Sequence, residues 1–444
     1  MKKQMCLAAL CLLVAAGGCA QPPDSAPGGN TGETAREAAV PAAEGNLYRL
    51  SAETPQGVYN VDGGRGQYFL DYAAAENRPL CAVPGCTHTG EGCAARLPEG
   101  TYGLFLYPLT DGSLVYSLQD DASYSFWRMD GDGGNRQELT RMAEENAIWN
   151  FLCADEAYLY LYDVTYGEEG EQFTVSRLPL TGGTPETLWG KTEYTAPELL
   201  GVNGRELVLL WYDWSERETV PPADTTEDMP WEEIRERMAA YDAEMAKVTG
   251  KFRVTRCSVD TGEEQVVDAW TSNYGSAGRT LYWELDRLYW FDCEEPGPLH
   301  WVTADGQTGE LAVDWPQEVT QWQGDLYINL ECRILLDKML LTVCETQGTD
   351  PVVSRYALDL ETGTLQEIPL QYIANATQQP VSIEGQGENC LAVIFEEQVQ
   401  MGTYLDTDGM PATSMETHRR YGLISTEDFL AGIPNYREIQ MDME

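Results

Sequence analysis

Short runs of alternating apolar and polar residues dominate the chain from residue 46 onward, and turn residues separate them. Alternation with a period of two predicts β-strands, and the Gly, Asp and Asn residues between the runs predict hairpin turns. One unit recurs, in which a strand is followed by an acidic or glycine turn, as in residues 254–262. The turn glycines of its five clear copies are Gly134, Gly183, Gly262, Gly309 and Gly363.

The spacing of these copies predicts the architecture. Successive turn glycines lie about 50 residues apart, except for one interval of about 80, and a period near 50 is typical of a propeller blade. A single blade cannot bury both of its faces, so neighbouring blades must cover one another around an axis. Residues 46–440 therefore predict one all-β domain, a β-propeller for which seven blades fit the length best and six or eight are alternatives. A β-sandwich or two barrels would not repeat this unit at one spacing.

The long interval contains a segment with helical periodicity. Within residues 213–250 the apolar residues recur at intervals of three and four, and they are Trp231, Ile234, Met238, Tyr241, Met245 and Val248. This pattern predicts a helix with one apolar stripe, which begins near Pro230 and is capped by Gly250. The stripe fits either a helix laid across the propeller or a docking helix for a partner. Burial of Trp231 distinguishes the two interpretations.

The first 45 residues have the pattern of an export signal followed by a tether. Residues 1–18 contain Lys2 and Lys3, an apolar run of about 12 residues and two glycines before Cys19. The run is too short to span a bilayer as a helix. The residues before Cys19 resemble the lipobox of bacterial lipoproteins, in which the cysteine is acylated; an ordinary secretory signal is the alternative. Residues 19–45 are rich in Pro, Gly and Ala and predict a flexible tether.

The net charge narrows the range of partners. The chain has 28 Lys and Arg against 72 Asp and Glu, which gives a net charge of −44. Such an acidic surface repels phosphate backbones, and this excludes nucleic-acid binding. A lipid anchor at Cys19 would hold the protein at the outer face of the cell membrane. We therefore expect an extracytoplasmic, lipid-anchored monomer with an unknown protein, peptide or glycan as its partner.

One cluster of residues has the chemistry of a metal site. Cys81, Cys86, His88 and Cys93 lie close together in a chain with only three His. Cys₃His is a common ligand set for structural zinc, and four protein ligands leave no open position for catalysis. Cysteines of exported proteins also form disulfides, so a disulfide within this cluster is the rival interpretation, and free thiols are a third. A disulfide would leave one cysteine unpaired and give His88 no role.

The segment around this cluster resembles one near the N-terminus of uncharacterised β-propeller lipoproteins of anaerobic Firmicutes. The residues that carry the resemblance are Leu70, Asp71, Tyr72, Pro79, Leu80, Cys81, Pro84, Cys86, His88, Cys93 and Ala95. The resemblance implies a propeller fold and a lipid anchor. That family offers no settled activity, so it implies nothing about a reaction.

The sequence contains no established catalytic motif. It has no Gly-x-Ser-x-Gly elbow, no His-Glu-x-x-His pair and no phosphate-binding glycine loop. No pair among 72 carboxylates can be singled out as an acid and a base. The sequence therefore favours a non-enzymatic binding module at the cell surface. The alternatives are a surface polysaccharide hydrolase or lyase that uses acidic residues of the central channel, and a structural envelope-assembly factor.

Three further groups of residues are interpreted as structural. The cysteines that follow the cluster lie mostly in apolar runs and are expected to be buried free thiols; they are Cys153, Cys257, Cys293, Cys332, Cys344 and Cys390. The Asp-rich turns at 130–135 and 406–409 lack the Glu that closes an EF-hand loop, so calcium binding is not expected. Tryptophans such as Trp211, Trp283 and Trp290 fit packing between blades better than a sugar-binding platform.

Overall fold

The computed structural model describes residues 45–441, with gaps at 63–65, 89–91, 144–146, 168–169, 227–228, 274–277, 285, 348–349, 375–376 and 406–409. The predicted signal peptide, Cys19 and the tether up to residue 44 lie outside the described residues, as does the Asp-rich turn at 406–409. The described residues form seven consecutive antiparallel sheets of four or five strands, arranged as blades. The predicted seven-bladed β-propeller is confirmed.

The first four blades are formed by successive strands. Those of blades 1 and 2 are β1 (Glu53–Thr54), β2 (Gly57–Asp62), β3 (Gly66–Asp71), β4 (Glu76–Pro79), β5 (Tyr102–Pro108), β6 (Leu114–Gln119), β7 (Ser123–Met129) and β8 (Gln137–Ala143). Those of blades 3 and 4 are β9 (Ala147–Ala154), β10 (Tyr158–Gly167), β11 (Gly170–Pro179), β12 (Glu186–Glu193), β13 (Glu198–Asn203), β14 (Glu206–Asp213), β15 (Thr249–Ser258) and β16 (Glu264–Asn273). Between β14 and β15 lie a 3-10 turn (Ser215–Thr219) and the helix α1 (Trp231–Met245).

The remaining blades follow the same order. The strands of blades 5 and 6 are β17 (Arg279–Glu284), β18 (Arg287–Asp292), β19 (Leu299–Thr303), β20 (Thr308–Leu311), β21 (Asp325–Leu335), β22 (Lys338–Gln347), β23 (Asp350–Asp359) and β24 (Leu365–Glu367), with the helix α2 (Gln317–Thr320) between the two blades. A separate hairpin consists of β25 (Gln371–Ala374) and β26 (Thr377–Pro380). Blade 7 contains β27 (Ser382–Gln386), β28 (Cys390–Leu405), β29 (Pro411–Ser425), the helix α3 (Thr426–Leu430) and β30 (Arg437–Glu438).

The two ends of the described chain meet in blade 1, which closes the ring. The last strand, β31 (Gln440–Met441), pairs in parallel with β4 and becomes a fifth strand of blade 1. The N-terminal part supplies the first strand of the same blade. No helix within the described ranges is long and apolar enough to cross a bilayer.

The turns divide between two faces because the strands of each blade are antiparallel. The lower face carries the turns from first to second strand and from third to fourth strand, such as residues 155–157, 204–205 and 130–136. The upper face carries the turns from second to third strand and the connections from one blade to the next, such as residues 120–122 and 80–101.

The hydrophobic core is divided among the spaces between blades. Among the described residues, seven clusters of buried apolar side chains each join two neighbouring blades. Trp211 is 1% exposed in the cluster between blades 3 and 4, and Trp283 is 6% exposed between blades 4 and 5. These two tryptophans pack between blades, as the sequence predicts. The blades therefore cover one another, which is the mutual burial that the repeat requires.

The recurrent turn glycine docks one blade on the preceding one. At Gly133 (φ 87°) an added Cβ atom would lie 2.2 Å from the carbonyl oxygen of Leu80, the residue that follows β4. At Gly363 (φ 75°) the same atom would lie 1.9 Å from the carbonyl oxygen of Ala312. Both positions need a left-handed backbone and have no room for a side chain, so only glycine fits.

The structure corrects two details of the sequence prediction. In the lower turns of blades 2 and 5, Gly133 and Gly306 have a left-handed backbone, whereas the predicted Gly134 and Gly309 do not, and Gly309 lies within β20. The helix of the insertion ends at Met245, before the predicted cap at Gly250. Gly250 instead pairs with Ser272 of β16, because strand pairing has already resumed at that point.

The apolar stripe of α1 is buried at one end only. Trp231, at the start of the helix, is 70% exposed, and Met238 is 40% exposed. Met245 and Val248, at the other end, are buried. The helix therefore does not lie across the propeller along its whole stripe, and its N-terminal half projects from the upper face.

The first described residues, 45–52, cross the lower mouth of the central channel; we call them the crossing segment. Near its start, the backbone N–H of Leu47 donates to the carbonyl of Gly204 in blade 4 (2.8 Å). Tyr48 and Ala154, at the end of β9 in blade 3, exchange two backbone hydrogen bonds of 2.9 and 3.1 Å. These bonds fix the start of the segment against the lower ends of blades 3 and 4.

The other end of the crossing segment reaches the opposite side of the ring. The N–H of Tyr59 in β2 donates to the carbonyl of Ala52 (2.9 Å). The carboxylate of Glu53 accepts two hydrogen bonds from Arg333 of blade 6, of 2.7 and 2.9 Å, and one of 2.9 Å from the N–H of Gln386 in blade 7. The segment thus joins blades 3 and 4 to blades 1, 6 and 7 across the axis.

Candidate metal centre

Both ends of the loop that contains the cysteine cluster form hydrogen bonds with the same residue of β3. The N–H of Leu80 donates to the carbonyl of Gln67, and the N–H of Gln67 donates to the carbonyl of Ala95, both at 2.9 Å. Gln67 is completely buried. The two ends of the loop, which carry Cys81 and Cys93, are therefore held side by side.

Two local turns direct the middle of the loop back toward its ends. The N–H of Cys86 donates to the carbonyl of Val83 (3.2 Å), and Gly85 within this turn has a φ of 74°. His88 also has a left-handed backbone, with a φ of 61°, which is uncommon for a residue other than glycine. The chain therefore reverses direction twice between Val83 and His88.

The four predicted ligands converge. One ligand atom from each of Cys81, Cys86, His88 and Cys93 lies within 4.8 Å of all the others. His88 Nδ1 lies 3.4 Å from Cys93 Sγ. In a tetrahedral zinc site with bonds of about 2.0–2.3 Å, neighbouring ligand atoms lie about 3.5–3.8 Å apart. The Cys₃His cluster can therefore hold a metal ion after small adjustments of its side chains.

The environment of the thiols differs between the two ends of the loop. Burial by itself would raise the pKa of Cys81, but the N–H groups of Val83 and Ala94 and the neighbouring thiols outweigh it, so this pKa is lowered. Burial raises the pKa of Cys93, which is the buried member of the cluster. Cys81 is therefore the thiol of this pair that ionises more readily, and the thiolate is the form that binds metals.

Arg136 of blade 2 ties the ends of the loop to the next blade. Its guanidinium donates to the side-chain oxygen of Gln67 (2.6 Å), to the carbonyl of Leu80 (3.2 Å) and to the carbonyl of Gly133 (3.1 Å). It also lies 5.6 Å from the centre of the Tyr116 ring, within the range of a cation–π contact. Sequence reasoning missed Gln67 and Arg136, because neither belongs to a motif; the only signal was that Arg136 closely follows a turn glycine.

A metal ion bound by all four residues would occupy a closed site. All four positions of a tetrahedral ion would be filled by protein atoms, which leaves no position for a substrate. The three cysteines of the cluster are free thiols in the structure, and the short distances between them also allow one disulfide. Metal binding uses all four residues, whereas a disulfide uses two.

The other cysteines differ in exposure. Cys153, Cys257 and Cys293 are buried, as predicted, and Cys344 and Cys390 are partly buried. Cys332 is exposed, so the prediction of a buried thiol is wrong for this residue. The reason is its place on β21, the first strand of blade 6, which borders the central channel.

Two further polar side chains have structural roles. The Asp130 carboxylate accepts a hydrogen bond from the Asn135 side chain within the same lower-face turn (2.6 Å). The imidazole of His300 stacks on the Trp290 ring at 5.4 Å. These contacts hold a turn and a sheet in shape.

Comparison with known proteins finds structural similarity at low sequence identity. No protein-family model and no curated protein matches the chain. An uncharacterized protein from Listeria monocytogenes EGD-e is similar to it in structure, with 9% identity, a TM-score of 0.38, and coverage of 78% of this chain and 96% of that one. The WD40 domain of SCAP from fission yeast has 8% identity and a TM-score of 0.38, with 87% and 94% covered. A prolyl endopeptidase has 9% identity and a TM-score of 0.46, with 84% of this chain but only 55% of the peptidase covered.

Proposed function

We propose that this chain is a lipid-anchored, extracytoplasmic β-propeller that binds a partner through its upper face. In this proposal Cys19 carries the lipid and the Cys₃His cluster holds a structural zinc ion. The partner is a protein, a peptide or a glycan of the cell envelope. The sequence pattern before Cys19 and the acidic composition support the location, and the distribution of exposed apolar side chains supports the binding face.

Most of the large apolar side chains that are exposed among the described residues belong to upper-face segments. They are Tyr102, Tyr166, Trp231, Met238, Tyr327, Val352, Ile373, Val399, Met401 and Met410, whereas Val83 follows residues that contact the turn at 130–136. The others are Val266, Leu336 and Ile433. Exposed aromatic and apolar residues concentrated on one face are typical of interaction surfaces. This concentration is the observation on which the binding proposal rests.

Two of the carboxylates near the axis are not free for catalysis. A glycosidase needs two carboxyl groups that are free to act on the glycosidic bond. Glu53 is held by Arg333, and Glu331 is held by Arg355 at 2.7 Å. Both carboxylates are therefore engaged in ion pairs within the protein. A hydrolase is the second candidate, and a polysaccharide cleavage assay with the purified chain tests it.

The proposed zinc ion would stabilise the connection between blades 1 and 2. The metal would join both ends of the loop to the reversed segment that carries Cys86 and His88. A closed thiolate site of this kind contributes folding free energy directly. The zinc ion would therefore have a structural role.

Substitution on the two faces tests the binding proposal. Trp231→Asp and Met401→Asp place charges on the upper face, and Val266→Asp is the matched change elsewhere. We expect immobilised wild-type protein and the Val266 variant to capture the same component from solubilised cell envelopes. The two upper-face variants should lose at least about tenfold in affinity, because truncating an interface hot spot costs about 2 kcal/mol or more. Equal capture by all variants would contradict the proposal.

A separate experiment tests the anchor. Cys19→Ala removes the thiol to which the lipid would be attached, while Cys153→Ala removes a buried thiol as a control. We expect the wild type and the control to enter the detergent phase and the Cys19 variant to stay in the aqueous phase. Detergent partitioning of the Cys19 variant would show that no lipid is attached there.

A further inference from the structure

One side chain of the crossing segment lies within the central channel. Arg49 Nη1 donates to the carbonyl of Leu200, in the middle of β13 and above the lower turn that holds Leu47. The charge of Arg49 also influences titratable groups on the first strands of four blades, which are Tyr107, Glu198, Tyr282 and Cys332 of blades 2, 4, 5 and 6. Only a position near the axis is close to all four blades. The guanidinium of Arg49 therefore points upward from the crossing segment into the channel.

The channel around Arg49 contains solvent. Arg49, Glu198 and Cys332 are all exposed, although they border the middle of the ring. Burial nevertheless raises the pKa of Glu198 and of Cys332. Side chains that touch water while protein surrounds them on most sides line a narrow, water-filled space. The lower end of this space is covered by the crossing segment, of which Leu47 and Leu50 are buried.

The guanidinium is available to a ligand. Among the described residues Arg49 forms no ion pair, and its hydrogen bond to Leu200 at 3.3 Å uses one of five N–H donors. Because Arg49 is exposed, a ligand can reach its other donors without displacing an ion pair of the protein. The planar guanidinium matches a carboxylate, to which it can donate two parallel hydrogen bonds.

A second polar group near Arg49 narrows the chemical class of the ligand. Glu198 is exposed and lies in β13 two residues before Leu200, the residue whose carbonyl accepts a hydrogen bond from Arg49, so its carboxylate would repel a simple anion bound there. A ligand that carries a carboxylate and also a hydroxyl or amino group satisfies both residues. Its carboxylate accepts from Arg49, and its hydroxyl or amino group donates to Glu198.

We infer that the axial channel is a binding site for a small hydroxy- or amino-carboxylate, which enters from the upper face and is held by Arg49 and Glu198. This inference deepens the proposed binding function and rests on it only in assigning the upper face as the side of entry. It does not depend on the lipid anchor or on zinc. The shared chemistry can come from a sugar acid or from an amino acid.

The exposed thiol of Cys332 provides a reporter inside the channel. The full chain, purified in detergent, is treated with an anionic or a cationic methanethiosulfonate of similar size, and peptide mass spectrometry measures the modification rate at Cys332. The thiolate attacks the reagent's sulfenyl sulfur and forms a mixed disulfide, and methanesulfinate leaves. We expect the ratio of anionic to cationic rates to fall about tenfold or more in Arg49→Gln, since one nearby positive charge is lost. Arg49→Lys and the surface variant Arg78→Gln should keep the wild-type ratio.

Protection of Cys332 then tests the ligand class. Gluconate and alanine at millimolar concentration are the sugar-acid and amino-acid probes, and glycerol is the neutral control. We expect one of the two carboxylates, and not glycerol, to slow modification several-fold in the wild type and to have no effect in Arg49→Gln. An unmodified Cys332 in the folded chain, a charge ratio that does not respond to Arg49→Gln, or no protection by either probe would overturn the inference. Envelope capture on the same preparation separates this failure from a failure of the proposed binding function.

Discussion

The connections between blades 1 and 2 and between blades 5 and 6 achieve the same docking by different means. Both accept a turn glycine of the following blade, Gly133 in one case and Gly363 in the other. The connection from β20 to β21 is covered by apolar packing: Val319 of α2 is 2% exposed, and the Trp315 ring packs edge-on against Phe291 at 5.5 Å. The connection from β4 to β5 has little such packing.

The first connection relies on polar and thiol groups instead. Within residues 80–101, the buried apolar residues among those described are Leu80, Cys93 and Ala95. Its shape comes from the backbone of Gln67, the guanidinium of Arg136 and the cysteine cluster. A long blade connection with a small core needs another source of stability, and a metal ion held by the cluster would supply one. In the proposed zinc-bound state, the cluster would take the place of an apolar core at this blade junction.

Removal of the metal should produce the largest difference in stability between the two junctions. Bound zinc at 100 to 1,000 times its dissociation constant would stabilise the folded state by about 3–4 kcal/mol. We expect Cys86→Ser to reduce zinc content from about one ion per chain to nearly none. Amide exchange should then accelerate in residues 80–101 and stay unchanged around α2. Cys344→Ser is the control, and undiminished zinc in Cys86→Ser, or no zinc in the wild type, would contradict the metal assignment.

Filling a docking glycine should destabilise either junction. Gly363→Ala places a Cβ atom 1.9 Å from the carbonyl oxygen of Ala312, and we expect a loss of about 2–4 kcal/mol, measured as a lower midpoint of urea unfolding. Gly306→Ala is a matched control with a similar left-handed φ and nothing within 4 Å, so it should lose only about 1 kcal/mol. Equal losses in the two variants would show that backbone strain, and not contact with the preceding blade, explains the glycine.

Loss of Arg136 should weaken the first junction alone. Arg136→Ala leaves the buried side-chain oxygen of Gln67 without its 2.6 Å donor, and we expect a cost of about 1–3 kcal/mol. Faster amide exchange at Leu80 and Ala95 would locate the effect at the ends of the loop. Arg78→Ala removes an exposed arginine from β4 of blade 1, on the other side of this junction, and should change stability by less than about 0.5 kcal/mol. An equal loss of stability in both variants would contradict the role of Arg136 in holding this junction.

The smallest effect is expected at a third junction, where a charged pair holds the start of the crossing segment. Arg205 donates to the carbonyl of Gly45 (2.7 Å), and its hydrogen bonds to Asp260 lower the pKa of that carboxyl. Because the folded-state pKa is depressed, this stabilisation is present above the unfolded pKa of about 3.9 and is lost as the pH falls through the folded value. The pair is partly exposed, so its contribution is below about 1 kcal/mol.

Thermal unfolding as a function of pH measures that contribution. Between pH 6 and pH 3 the wild type should lose slightly more stability than Asp260→Asn, which lacks the titrating group. Glu232→Gln, on the exposed side of α1, removes one negative charge as a control and should follow the wild type. If the stability of Asp260→Asn fell in parallel with that of the wild type over the whole pH range, Asp260 would not couple folding to pH.

Sequence reasoning predicted the propeller and the members of the cysteine cluster, because both depend on local pattern. It placed the C-terminal cap of α1 too late, at Gly250, which already belongs to β15 and pairs with Ser272. It also expected Cys332 to be buried, because an apolar run in a first strand does not reveal that one side borders the channel. Gln67 and Arg136 carried no motif, and their role depends on two blades lying side by side.

The sequence by itself determined the elements and their repetition: a period of two encodes a strand, and a glycine that must adopt a left-handed backbone encodes its turn. These are interactions over a few residues, so they can be read from neighbouring positions. Only the tertiary structure decided which carbonyl each turn glycine touches, which blade holds the ends of the thiol loop, and that Arg49 stands in the channel. Those contacts join residues far apart in the chain, and they exist only once the ring has closed.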